Sequence, residues 1–124
     1  MTGIPEGSAH EHPIDSAAVE TARTAVPSAD ETARLAGLLS VMADPLRLRI
    51  VFALDETGEL CVGDLALALD VSEDAAGYAL RLLRAAGLVA TRKDGRLVYN
   101  RLAADFPEPL LHYCLRELIK ITRV

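Results

Sequence analysis

The sequence predicts a mostly α-helical fold carrying one small β-hairpin, in the order α-α-α-α-β-β-α, and three observations lead there. The apolar half of the 124 residues is mainly Leu, Ala, Val and Ile, with five aromatic residues and no Trp, which suits packed helices better than a β-sandwich. Helix-start signals recur at Ser28 with Glu31 three residues on, at Asp44-Pro45 and at Ser72. From Leu88 the apolar period turns strand-like, with Leu88, Val89, Thr91 and then Leu97, Val98, Tyr99 flanking the turn dipeptide Asp94-Gly95.

The elements follow in order. Residues 1–28 hold Gly3, Pro5, Gly7, Pro13 and Pro27 without a sustained apolar period, and read as a flexible arm, briefly helical near 16–24. The folded domain then covers 29–124. Its first helix, 29–43, starts from the Ser28/Glu31 capping box and carries Leu35, Leu38, Leu39 and Met42. Asp44-Pro45 starts a second helix whose buried stripe is Leu46, Ile50, Val51 and Leu54, with Arg47 and Arg49 facing elsewhere and a turn at 55–58. A short helix over 62–69 carries Leu65, Leu67 and Leu69. Ser72 caps the next helix, whose apolar face is Ala76, Leu80, Leu82 and Leu83 and whose natural stop is Gly87. A type I′ hairpin at Asp94-Gly95 follows. A last helix, 107–122, presents Leu110, Leu111, Cys114, Leu115, Leu118 and Ile121. A terminal helix this apolar calls for a partner, and a twofold mate is the economical one.

The formal net charge is −5, yet its distribution matters more. Residues 1–29 hold one Arg against four acids, whereas Arg81, Arg84, Arg92, Lys93, Arg96 and Arg101 cluster between positions 81 and 101 against Asp94 alone. An amphipathic helix followed at once by a basic hairpin is the working end of a winged helix-turn-helix, and it points to double-stranded DNA. No apolar run approaches the ~20 residues of a membrane span, and no basic segment followed by an apolar one opens the chain, so a cytoplasmic protein is expected. Cys61 and Cys114 form no C-x-x-C pair and read as reduced thiols. Enzymatic readings fail on inventory: there is no nucleophile motif, phosphate loop or pair of catalytic carboxylates.

Four segments together give the chain a family. They are Ala43-Asp44-Pro45-Leu46-Arg47-Leu48-Arg49-Ile50, Glu59-Leu60-Cys61-Val62-Gly63-Asp64-Leu65-Ala66, Leu82-Leu83-Arg84-Ala85-Ala86-Gly87-Leu88-Val89 and Arg92-Lys93-Asp94-Gly95-Arg96-Leu97-Val98-Tyr99. Over 33–124 the sequence resembles the ArsR/SmtB family of small bacterial winged-helix repressors that respond to metals or thiol-reactive signals. The resemblance implies a homodimer built through the first and last helices and an operator of twofold symmetry. It also implies that the 72–86 helix reads the major groove while the wing follows the phosphates. Ser72, Tyr78, Arg81, Arg84, Arg92, Lys93 and Arg96 are the expected DNA-binding residues. The family often has polar residues where this chain has Gly77, Tyr78 and Ala79. Gly77 weakens a helix unless backbone must approach DNA or the preceding helix closely, and Tyr78 either meets DNA or packs across the helix-turn-helix.

The resemblance also implies two possible ligand sites. One uses Cys61 and Asp64, three apart at a helix start, with ligands from the N-terminal arm of the other subunit, where the arm offers His10 and His12. Thiolate, carboxylate and imidazoles suit a divalent ion such as Zn, Ni or Cd; the alternative is a small core Cys, a helix-end acid and two tail histidines. The other family site falls by register on Ala104, Phe106, Glu117 and Lys120, three of which cannot serve. Asp105, Glu108 and His112 are spaced for a displaced version, though Asp105 and Glu108 also fit a capping box around Pro107. His112 and Cys114 are weaker metal candidates, and Cys114 is otherwise a buried small hydrophobe. The expected function is a repressor whose operator affinity is controlled by a metal ion. Two alternatives stand beside it: a redox or persulfide switch between Cys61 and Cys114, and a winged-helix interaction module with weak DNA binding.

Overall fold

The computed structural model describes residues 11–123 and divides the chain into two compact units, Met1–Leu35 and Ala36–Val124. His10, an expected ligand, lies outside the described residues. In the first unit, α1 (Ser16–Ala25) runs one residue beyond the helix expected near 16–24: Asp15 caps it, its carboxylate accepting from the Ala18 N–H at 2.9 Å. The capping box before α2 (Ala29–Met42) is present in both directions, the Glu31 N–H donating to Ser28 Oγ and the Ser28 N–H to Glu31 Oε1.

In the second unit Asp44 caps α3 (Pro45–Thr57), accepting from the Arg47 N–H at 3.0 Å, and Pro45 fills the first turn. The Arg47 guanidinium turns back to donate to the Val41 carbonyl, one of the acceptors that the end of α2 leaves open. Ile50, Val51 and Leu54 are buried, while Leu46 is only half-buried. The turn expected at 55–58 does not form. No helix-breaking residue precedes Gly58, so α3 continues through Thr57 and closes with the Gly58 N–H on the Leu54 carbonyl.

A two-residue strand absent from the sequence reading, β1 (Leu60–Cys61), leads into α4 (Val62–Leu69). Leu67 does not share the buried face of Leu65: it is 83% exposed, as residues two apart on a helix must diverge. Ser72 caps α5 (Glu73–Ala85), its Oγ accepting from the Ala75 N–H at 3.0 Å. Ala76, Ala79, Leu80 and Leu83 form the buried face. Gly87, at φ +79, ends the helix in the left-handed region, as a helix stop requires.

β2 (Val89–Asp94) and β3 (Leu97–Leu102) form the hairpin, and β1 adds to β3, giving a three-stranded antiparallel sheet in the order β1-β3-β2. The turn is shifted by one residue from the expected place. Asp94 pairs with Leu97, leaving Gly95-Arg96 as the loop. Only Gly95 of these two has positive φ (+61), the pattern of a II′ turn with glycine at its first central position and not of type I′, which needs both.

The core gathers Ile50, Val51 and Leu54 of α3, Leu65 of α4, Leu80 and Leu83 of α5, Val89 at the hairpin root, and Phe106 and Leu111 from the C-terminal segment. That last segment opens as a wide π-helical turn, Leu110–Leu115, before α6 (Arg116–Ile121). Its start rests on the Leu110 N–H donating to the Pro107 carbonyl. Among the described residues neither Asp105 nor Glu108 makes the expected capping bond. The arrangement of α4, a tight turn, α5 and a hairpin is a winged helix-turn-helix.

Candidate nucleic-acid interface and ligand site

Burial of Ala76, Ala79, Leu80 and Leu83 turns the opposite side of α5 outward. Tyr78, 55% exposed, is therefore not packed across the helix-turn-helix. The Arg81 guanidinium lies 5.2 Å from the centre of its ring, a cation–π contact that presents ring and charge as one unit. Arg84 is exposed near the end of the same helix, and Lys93 and Arg96 are exposed on the wing. Among the described residues, Arg81, Arg84, Lys93 and Arg96 have no carboxylate within ion-pair distance. Ser72 spends its acceptor on the helix cap and keeps its hydroxyl proton for another partner.

Gly77 is half-buried, yet nothing in the protein demands it. A Cβ there would meet only the Val62 Cγ2, at 4.0 Å, which is ordinary contact. Close approach of α4 is thus not the reason for this glycine.

Arg92 departs from the other basic residues. It forms a two-pronged bond to Glu59, with Nε to Oε2 at 3.2 Å and Nη2 to Oε1 at 2.5 Å, and lies 4.7 Å from the centre of the Tyr99 ring. The hydrogen bond from Arg92 holds the Glu59 carboxyl below its ordinary pKa, and Glu59 raises that of Arg92 in return. Glu59 escaped the sequence reading because 33 positions separate it from Arg92. Asn100 escaped it too. It is buried at 4% exposure and donates to the Leu60 carbonyl at 3.1 Å, fastening β1 to the hairpin root.

Cys61, half-buried, is the N-cap residue of α4 but makes no side-chain capping bond, and Asp64 is exposed in the first turn of the same helix. Thiol and carboxylate are therefore both uncommitted at one helix end. They make two donors of a site, and no group of three His, Cys, Asp or Glu side chains is placed to hold a metal among the described residues. His12 is exposed in the first unit. The weaker pair fares differently: His112 faces Asp55 at 3.1 Å, and Cys114 is an exposed free thiol and not part of the buried face. Where the second family site would fall, Phe106 is packed in the core and Glu117 is paired with Lys120 at 2.7 Å.

The family model described as "Bacterial regulatory protein, arsR family" matches residues 44–91, from the cap of α3 into the wing. The HTH-type transcriptional repressor SmtB of Mycobacterium tuberculosis is 38% identical over 102 residues, covering 82% of this chain and 74% of that one. The chain belongs to the arsR family. A second relative, the arsenical resistance operon repressor of Escherichia coli, is 47% identical over 70 residues, 56% of this chain. The chain spans about three fifths (60%) of that relative's length. Among solved structures, the transcriptional regulator HlyU from Vibrio vulnificus superposes with a TM-score of 0.59 at 29% identity, covering 86% of this chain and 99% of that one. Among the described residues no helix is long and apolar enough to cross a membrane, in keeping with the arsR-type fold.

Proposed function

We propose that this arsR-family chain is a transcriptional repressor that binds operator DNA through α5 and the wing, and that a metal ion bound at Cys61 and Asp64 lowers that affinity. The observation that carries the reading is the row of exposed cations Arg81, Arg84, Lys93 and Arg96, which have no carboxylate partner among the described residues, on an otherwise acidic chain. Cations left free in this way bind phosphates and release counterions. Tyr78 and Arg81 face outward where base edges would lie.

The working unit is a homodimer. Leu48, Phe52, Leu115, Leu118 and Ile119 line an apolar groove of about 400 Å³ between α3 and the C-terminal segment, beside exposed Leu39. Apolar surface of this kind is what a twofold interface buries.

The metal reading rests on the uncommitted thiol and carboxylate at the start of α4, on the E. coli relative being an arsenical resistance repressor, and on two histidines standing two apart in the N-terminal sequence. With His10 and His12 supplied by the arm of a second subunit, as the family resemblance implies, the donor set would suit Zn, Cd or Ni.

The test is operator binding to the DNA upstream of the protein's own gene, with Zn, Cd and Ni titrated into reduced protein. Metal should release the operator from wild type, and Cys61→Ser should be indifferent to it. Equal release from Cys61→Ser defeats the metal site, and release by oxidants or persulfides alone favours a Cys61/Cys114 switch instead. Failure of wild type to bind DNA selects the interaction-module reading.

A further inference from the structure

We infer that Arg92, although it stands among the basic residues of the wing, does not contact phosphate. It is a positioning residue that, with Glu59, clamps the wing to the strand carrying Cys61. The inference rests on the DNA-binding reading above and concerns how the wing is held for that task.

Register places the clamp. Arg92 of β2 pairs with Tyr99 of β3, and Tyr99 pairs with Cys61 of β1. Directly opposed residues of antiparallel strands share a sheet face, and the period of two returns Glu59 to the face of Cys61. Glu59, Cys61, Tyr99 and Arg92 therefore lie on one face, in a row that crosses all three strands. The guanidinium plane covers the Tyr99 ring while its edge engages both Glu59 oxygens.

Charge accounting supports the same conclusion. Two of the Arg92 nitrogens are hydrogen-bonded to Glu59, and Nη1 lies 3.9 Å from Asp94. A cation already faced by two carboxylates has little charge left to displace counterions from DNA. Lys93 and Arg96 have no such neighbours among the described residues, and they remain the phosphate contacts of the wing.

The slope of log affinity against log salt separates the two roles, because each phosphate contact contributes about 0.9 to it. Operator affinity of the full chain is measured across a salt series for wild type, Arg92→Gln, Glu59→Gln, Arg96→Gln and the charge-exchanged Glu59→Arg/Arg92→Glu. Arg92→Gln and Glu59→Gln are expected to bind about three- to tenfold more weakly at every salt concentration with the wild-type slope. Arg96→Gln should lose close to one unit of slope. The charge exchange should recover affinity relative to both single variants, and amide exchange in β3 should rise in Glu59→Gln and return in the exchanged pair.

An Arg92→Gln slope reduced like that of Arg96→Gln overturns the inference. So does an exchanged pair that binds worse than either single variant, as a glutamate aimed at phosphate would. Wild type without salt-dependent operator binding defeats the repressor reading and this inference together; wild-type binding with a flattened Arg92→Gln slope defeats this inference alone.

Discussion

Nε2 of His112 lies 3.1 Å from Oδ2 of Asp55, joining the π-helical turn of the C-terminal segment to the last turns of α3. The Asp55 side chain is 5% exposed, and its Oδ2 is buried without a directed hydrogen bond, so the imidazole is its compensation among the described residues. Arg116 adds to the same seam, its guanidinium 4.8 Å from the centre of the Phe52 ring.

His112→Ala strands that carboxylate. What is lost is an ion-pair contact whose imidazole side is half-exposed, worth about 0–1 kcal/mol. A urea midpoint lower by a corresponding amount is expected, with Asp55→Asn/His112→Ala recovering part of the loss. A His112→Ala midpoint equal to wild type would show that the contact contributes nothing.

Gly77→Ala separates the protein's needs from those of DNA. With Val62 Cγ2 at 4.0 Å the added methyl fits, and the helix gains about 0.5–1 kcal/mol from the better helix former. Thermal unfolding should move upward while operator affinity drops several-fold, the outcome expected where the proposed interface brings the backbone of α5 close to DNA. Unchanged affinity would mean that α5 does not approach DNA closely at this position.

The Glu59–Arg92 clamp makes an acid-side prediction. Glu59 has a folded-state pKa below its unfolded one, so its contribution is fully present above the ordinary glutamate value and is lost as pH falls through the lowered one. Arg92 has a raised pKa, so its share persists at all working pH values and disappears only in strong alkali. Wild type should be more stable than Glu59→Gln at pH 6, and the gap should close toward pH 3. A gap independent of pH would exclude ionised Glu59 as its source.

Leu118→Glu tests the groove. Leu118 is 53% exposed in the protomer, so the substitution should leave the unfolding of an isolated subunit nearly unchanged. Sedimentation should nevertheless shift from dimer to monomer, with operator binding falling at least tenfold. A variant that remains dimeric places the interface elsewhere.

Local chemistry was legible in the sequence and long-range pairing was not. The caps at Ser28, Asp44 and Ser72 each act over three residues, and all three form as their side chains dictate. The period of α5 gave Ala76, Leu80 and Leu83 of its buried face, missed Ala79, and wrongly included Leu82, which is half-buried because it lies two residues round the helix from Leu80. Strand β1 was hidden because two residues carry no alternation, and its existence depends on Asn100 and Tyr99 forty positions away. The same distance problem made Arg92 look like every other wing cation and kept Asp55 out of view. Cys114 was misread because an apolar stripe on a last helix signals burial, whether it faces the core or the outside. The exposed cations of α5 and the wing were legible as charge against the trend of composition. What Cys61 would bind was not, since its remaining donors lie outside its own element.

The sheet order β1-β3-β2 has one further consequence. Cys61 and the wing tip belong to one hydrogen-bonded plate, with β3 as its common spine. Under the proposed reading, a ligand that tilted the thiol end would not bend a loop but would act on a lever whose far arm carries Lys93 and Arg96. Sensing at Cys61 would then need no relay of side chains through the core, because β3 ties both ends to one sheet.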